Sequence, residues 1–105
     1  MPTKRAPSAK RKPATLAMMR PVILRIAERY GATNVRVFGS FARGEQTAKS
    51  DVDLLFDPPE RMSLLDHSGL KIDLEEALKM KVDIISANSI KPLLRPYILA
   101  DARPL

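Results

Sequence analysis

The chain of 105 residues is long enough for one small domain, and its lack of cysteine excludes disulfides and thiolate metal sites. Its formal net charge of +6 is unevenly distributed, because residues 1–20 hold six basic residues and no acid, while twelve other basic residues balance twelve acids. We therefore predict a basic N-terminal tail over residues 1–20 and a formally neutral domain over residues 21–105.

The N-terminal tail is rich in proline and poor in apolar residues. Pro2, Pro7 and Pro13 oppose helix formation, so we expect an extended or disordered segment. One interpretation is a basic arm that binds nucleic acid or an acidic partner through charge. The other is a solvated extension, with Met18 or Met19 as the true start. The absence of an aromatic residue that could stack on a base favours the second interpretation.

The apolar stretch between residues 16 and 27 is interrupted by Arg20 and Arg25. It therefore lacks the continuous hydrophobic segment of a secretory signal, and it is too short to span a bilayer. We expect a cytoplasmic protein without a membrane partner.

The first predicted helix covers Val22–Tyr30, because Pro21 suits the first turn of a helix and Gly31 suits its end. The run Val35–Phe38 then predicts a strand. Gly39 lets the chain turn sharply into a polar segment with open backbone N–H groups, and such a turn suits a phosphate.

A second strand is predicted over Val52–Phe56. Side chains alternate between the two faces of a strand, so Asp51 and Asp53 share one face while Val52 and Leu54 take the other. Carboxylates aligned in this way suit a hard cation such as Mg²⁺, which usually binds through one or two carboxylates and substrate phosphates.

A third acid follows on another predicted strand. Ser63 precedes a helix that runs through Lys79 and returns the chain to a strand over Lys81–Ile85. Asp83 lies between apolar neighbours on this strand and should project to one face. Each acid alone could be a solvated turn residue, but the agreement of all three positions favours a single site.

The last predicted helix starts near Ile90, with Pro92 in its first turn and Asn88 or Ser89 as its cap. Pro96 should make this helix irregular. No catalytic role is assigned to it.

Two further features are interpreted as structural. The single histidine, His67, is expected on a helix surface or partly in the core. Glu75 and Lys79 have the spacing of a solvated helix pair, worth about 0.2–0.5 kcal/mol.

The sequence Gly39-Ser40, ten residues, then Asp51-Val52-Asp53 resembles the signature of the minimal nucleotidyltransferases of the DNA polymerase beta superfamily. The segments GSFARGEQTAKSDVDLLFD and KVDIISANSIKPLLRPYIL are similar to this family in order and spacing, so the resemblance covers roughly residues 21–99. It implies an α/β (α+β) polymerase-beta-like fold, a small mixed sheet with flanking helices. The turn at residues 79–81 lacks the glycine often found there, which leaves the entry angle of the third strand open.

The resemblance also implies a role for each matching residue. Gly39 and Ser40 would hold the triphosphate of ATP, the nucleotide donor, and Arg43 would lie near the phosphates. Two Mg²⁺ ions would bind to the same carboxylates that act in catalysis. These carboxylates belong to Asp51, Asp53 and Asp83.

Stand-alone minimal members of this family resemble antitoxins that pair with a HEPN-domain ribonuclease toxin, and some transfer AMP to a tyrosine of that toxin. The resemblance thus implies a Mg²⁺-dependent nucleotidyltransferase that acts as an antitoxin. Two alternatives stay open: an antitoxin that neutralises the toxin by binding alone, and a nucleic-acid-binding accessory that uses the N-terminal tail. The three intact acids favour an enzyme. The sequence identifies neither the acceptor nor the base of the nucleotide.

Overall fold

The computed structural model describes residues 15–105, which form a four-stranded mixed sheet with flanking helices. The predicted fold class is confirmed. The strand order is β3-β2-β1-β4, in which β1 is antiparallel to β2 and β4, and β2 is parallel to β3. In chain order the elements are α1 (Leu16–Arg29), β1 (Thr33–Phe38), α2 (Ser40–Arg43), β2 (Val52–Asp57), α3 (Leu64–Leu78), β3 (Val82–Ser86), a short 3₁₀ helix (Ala87–Ser89), α4 (Arg95–Asp101) and β4 (Arg103–Pro104).

The main core lies between one face of the sheet and the helices α1 and α3. Both helices contribute apolar side chains at helical spacing, and the strands contribute alternate residues, as expected for a sheet with one face packed on helices. Its fully buried side chains include Ile23, Val37, Val52, Leu54, Phe56, Leu70, Leu74 and Val82. Because strand side chains alternate, this burial leaves Asp53 and Asp83 on the opposite face of the sheet.

Helix α1 begins at Leu16, so the predicted start near Val22, with Pro21 in the first turn, is wrong. Thr15 caps the helix, and its side-chain oxygen accepts a hydrogen bond from the backbone N–H of Met18 at 3.3 Å. The predicted N-terminal tail therefore overlaps this helix at residues 16–20. Residues 1–14, which include the rest of that tail, lie outside the described residues.

The position of Pro21 inside α1 removes the backbone hydrogen bond that its nitrogen would otherwise donate to Ala17. Tertiary contacts on the first turns offset this loss. Met19 is buried in the core, and the Nε of Arg20 donates to the backbone carbonyl of Leu105 at 2.9 Å. Neither contact is visible in local sequence, which explains why the helix start was placed too late.

Helix α3 follows its prediction closely. Ser63 is the N-cap, and it exchanges hydrogen bonds with Asp66 in a capping box. The turn that lacks a glycine is formed by Lys79, which adopts the left-handed conformation with φ 59° and ψ 38°. His67 is half-buried, with its ring centroid 5.8 Å from that of Phe56, as the structural interpretation predicted.

Three groups hold the end of α3 against the start of β3: Lys71, Glu75 and the backbone of Val82. We call them the α3–β3 junction. The Glu75 carboxylate accepts hydrogen bonds from the Val82 N–H at 3.0 Å and from the Lys71 ammonium at 2.9 Å. Lys71 also donates to the Val82 carbonyl at 2.7 Å. The predicted Glu75–Lys79 pair is thus replaced by a Lys71–Glu75 pair that fixes the entry of β3.

Helix α4 starts later than predicted. Residues 87–89 form the 3₁₀ helix, and the α-helix begins at Arg95, so that Pro96 falls in its first turn and causes no irregularity. Residues 91–94 form a separate turn, in which the N–H of Leu94 donates to the carbonyl of Lys91 at 2.9 Å. Within residues 15–105, no helix has the length and apolar character needed to cross a membrane.

Candidate active site

Gly39 forms the turn between β1 and α2 with φ 73° and ψ −152°, a conformation that side chains disfavour. A Cβ atom at this position would also collide with the Oδ2 of Asp53. The Gly39 carbonyl accepts hydrogen bonds from the N–H groups of Ala42 and Arg43 at 3.0 and 3.1 Å. The first N–H groups of α2, including that of Ser40, therefore have no carbonyl within the helix to bind. The backbone at this turn is thus close to Asp53 and offers N–H donors to a ligand.

Strand register brings the predicted acids together at one end of neighbouring strands. Asp53 is paired with Phe38 on one side and with Asp83 on the other. Asp51 lies one residue before β2 and, by alternation, on the same face as Asp53. We call Asp51, Asp53 and Asp83 the acidic edge, which lies at the amino ends of β2 and β3.

Within the acidic edge, the pKa of Asp53 is raised from its ordinary value to about 6. Burial of this half-buried side chain is the main cause, because it disfavours the charged form. The neighbouring charges of Asp83 and Asp51 add to the increase, and the positive charge of Arg43 opposes it. A cation bound among these groups would stabilise the ionised form of Asp53.

The fold family implies Mg²⁺, so we asked whether these residues suit it. Among residues 15–105, no group of three or more acidic or histidine side chains is arranged to hold a metal ion. The donor set nevertheless fits Mg²⁺, because three carboxylates supply hard oxygen ligands on one face of the sheet. The unfavourable charge on Asp53 is the kind of conflict that a divalent cation removes.

Arg43, the last residue of α2, is bound by two carboxylates. Its Nε donates to Glu45 at 2.9 Å, and its Nη1 donates to Asp101 at 2.5 Å. These hydrogen bonds raise the pKa of Arg43, with Glu45 as the largest cause and Asp101 as the next. Sequence reasoning identified neither partner, and Asp101 lies 58 residues away on another helix, where no spacing rule applies.

A separate groove of about 510 Å³ lies near the carboxyl ends of β2 and β3. It is lined by the loop after β2, the start of α3 and the 3₁₀ helix, with Pro59, Met62, His67 and Ile85 among its residues. None of the predicted site residues lines it. The acidic edge therefore lies outside this groove, at the opposite ends of these strands.

Comparisons with known proteins agree on a family. The family model described as "Nucleotidyltransferase domain" matches residues 19–105. A relative from Methanocaldococcus jannaschii, provisionally named a protein adenylyltransferase, is 45% identical over 80 residues, which cover 76% of this chain and 86% of the relative.

Solved structures give the same result. The structure of a provisionally assigned minimal nucleotidyltransferase superposes with a TM-score of 0.75 at 47% identity, covering 86% of this chain and 92% of that one. A complex of a tri-AMPylated Shewanella oneidensis HEPN toxin with an MNT antitoxin matches with a TM-score of 0.67 at 16% identity, covering 84% of this chain and 69% of that one. At 16% identity, the second match shows a shared fold.

Proposed function

The chain belongs to the nucleotidyltransferase domain family, as the Gly-Ser and Asp-x-Asp motifs predicted, and on this basis we propose a specific reaction. The protein transfers AMP from ATP to a tyrosine hydroxyl of a HEPN-domain ribonuclease toxin. It thereby acts as the antitoxin of that toxin. The observation that carries the proposal is the pairing of Asp53 with Asp83 beside the Gly39 turn.

The proposed roles follow from this arrangement. The N–H groups at the Gly39-Ser40 turn bind the β and γ phosphates, because the first N–H groups of α2 have no carbonyl within the helix to bind. Asp51, Asp53 and Asp83 would hold Mg²⁺, which when bound stabilises the attacking and leaving oxygens of the displacement at the α-phosphorus. Carboxylates repel a phosphate, so these residues could attract the α-phosphate only through the cations that they would hold.

Asp83 has an exposed position that suits the acceptor. It is exposed, whereas Asp53 is half-buried against Gly39. We assign to Asp83 the proton of the attacking hydroxyl. A bond forms between the tyrosine oxygen and the α-phosphorus, the bond from that phosphorus to the bridging oxygen breaks, and pyrophosphate leaves.

The choice of a protein as the acceptor follows from the comparisons. The relative from Methanocaldococcus jannaschii is named for the adenylylation of proteins, and the HEPN toxin of the solved complex carries AMP groups. A folded protein that presents its own tyrosine is therefore a suitable acceptor.

The test is a mixture of the protein, a HEPN toxin and α-labelled ATP with Mg²⁺. We expect label on the toxin and loss of its ribonuclease activity, and both should disappear in Asp83→Asn. The Asp83→Asn variant should still bind Mg²⁺·ATP, which separates chemistry from binding.

Two other outcomes would redirect the proposal. Inhibition by Asp83→Asn at stoichiometric amounts without label would mean that contact alone neutralises the toxin. A parent protein that neither labels nor inhibits the toxin would exclude the antitoxin role, and the acceptor would then be sought among small molecules or RNA ends.

A further inference from the structure

The guanidinium of Arg43 is held through two of its three nitrogens, and the third nitrogen is available to a ligand. Glu45 accepts from Nε and Asp101 accepts from Nη1. In the described part of the chain, Nη2 of Arg43 has no hydrogen-bond partner. Because the guanidinium is planar, holding two of its nitrogens sets the direction of the third.

Arg43 also lies close to the centre of the acidic edge. It follows the Gly39-Ser40 turn by a single turn of α2, and its charge lowers the pKa of Asp53 against the neighbouring acids. An anion bound at the Gly39-Ser40 turn would therefore lie within reach of the remaining N–H groups of Arg43.

The two carboxylates that hold Arg43 are not equivalent. Glu45 is a local partner two residues away, and its side chain is 65% exposed. Asp101 ends α4, and its side chain is 28% exposed. Glu45 raises the pKa of Arg43 more, but the pair with Asp101 is shorter, at 2.5 Å against 2.9 Å, and less exposed to water. A less exposed pair is screened less, so Asp101 should restrain the guanidinium more strongly than Glu45 does.

We propose that Asp101 is a positioning residue for nucleotide binding: it holds Arg43 so that Nη2 faces the phosphates of the nucleotide at the Gly39-Ser40 turn. This inference rests on the proposed function, because it requires a nucleoside triphosphate at that turn. It adds α4 to the elements that build the site. Asp101 itself does not touch the substrate.

The test compares Asp101→Asn with Glu45→Gln, each made in the parent and in an Arg43→Gln background. Affinity for Mg²⁺·ATP is measured by calorimetry, and adenosine is used as a ligand without phosphates. We expect Asp101→Asn to weaken Mg²⁺·ATP binding about ten-fold, whereas Glu45→Gln should weaken it by no more than about three-fold. Adenosine affinity should not change in either variant.

The Arg43→Gln background distinguishes positioning from a structural role of Asp101. If Asp101 acts through Arg43, then Asp101→Asn should have no further effect once Arg43 is replaced. The KM for ATP should rise with kcat unchanged, and Asp101→Glu should recover part of the affinity. Equal affinity in Asp101→Asn and parent, or an equal loss in both backgrounds, overturns the proposal.

A measurement on the unmodified protein covers the case in which Asp101→Asn does not fold. The side-chain N–H signals of Arg43 in an NMR spectrum should shift on addition of Mg²⁺·ATP and stay in place on addition of adenosine. Binding of Mg²⁺·ATP without a shift overturns the Asp101 proposal alone. A parent that does not bind Mg²⁺·ATP overturns this proposal and the proposed function together.

Discussion

The α3–β3 junction and the acidic edge use carboxylates in opposite ways, although Val82 and Asp83 are consecutive residues. At the junction, Glu75 accepts from the Val82 N–H and from Lys71, and these two bonds lower its pKa. At the acidic edge, burial and neighbouring acids raise the pKa of Asp53. The Glu75 carboxylate, which has its partners within the chain, therefore holds the start of β3 in place. The carboxylates of the acidic edge are instead suited to a cation.

The comparison teaches where the fold stabilises itself and where it does not. Carboxylates that are compensated within the chain contribute to stability, and carboxylates left in conflict mark a site for a cation or a proton. Substitutions in the two regions should therefore have opposite effects on stability and separate effects on binding.

The largest expected effect is on nucleotide binding. The double variant Asp51→Asn with Asp53→Asn should lower the affinity for Mg²⁺·ATP by at least about 100-fold, because it removes two of the three candidate metal ligands. Circular dichroism should show an unchanged fold. Calorimetric binding as tight as that of the parent would show that the acidic edge does not hold the metal.

The next effect is a loss of stability at the α3–β3 junction. Glu75→Gln should lower the Tm at pH 7.5 by several degrees, because it removes the charge that Lys71 and the Val82 N–H stabilise. The pKa of Glu75 is lowered, so its contribution is present above the unfolded pKa near 4.5 and is lost as the pH falls through the folded value. The difference in Tm from the parent should therefore shrink below about pH 4. Glu76→Gln, at an exposed neighbouring position, is the matched control and should change little.

A smaller effect of opposite sign is expected at Asp53. The pKa of Asp53 is raised from 3.8 to about 6, so its ionisation destabilises the folded state. This destabilisation is complete above about pH 6 and absent below the unfolded pKa. Asp53→Asn should therefore raise the Tm of the ligand-free protein by about 3 °C at pH 7.5, after allowance for solvent screening. The gain should vanish near pH 4. A lower Tm for the variant at pH 7.5 would mean that the charge conflict at the acidic edge is compensated in solution.

The smallest effect is expected from removal of the basic residues of the N-terminal tail, which belong to neither the α3–β3 junction nor the acidic edge. Removing residues 1–14 keeps the Thr15 cap and the whole of α1. Thermal melting and nucleotide transfer should both stay within error of the full chain. A large loss of either, or a loss of RNA affinity together with its salt dependence, would assign a function to the N-terminal tail.

The sequence predicted which residues lie together at the acidic edge better than it predicted where α1 and α4 begin. The acids and the Gly39 turn were found because alternation on a strand and a fixed spacing place them by local rules. The start of α1 was missed because burial of Met19 and the bond from Arg20 to Leu105 compensate for Pro21. Both are long-range effects that local propensity does not contain.

Sequence reasoning also missed the ion-pair partners of Arg43 and Glu75. Asp101 could not be assigned to Arg43 from sequence, because α4 reaches α2 only once the sheet has formed. Likewise, Glu75 has a partner at the spacing that sequence rules favour, Lys79, but Lys79 is the left-handed residue that ends the helix. Lys71 lies one turn earlier on the regular part of α3 and forms the pair instead.

The parallel pairing of β2 with β3 has a consequence for the order of folding. The antiparallel pair β1–β2 closes a short segment of chain, whereas β3 reaches β2 only after the whole of α3 has been crossed. Contacts between residues distant in sequence carry a larger entropic cost and form late. The pairing of Asp53 with Asp83 is such a contact. A chain in which only the first two strands have folded would therefore have the Gly39 turn but not the complete acidic edge. Nucleotide binding by the proposed site would then depend on this long-range contact, and a cell that supplies ATP would favour chains that have formed it.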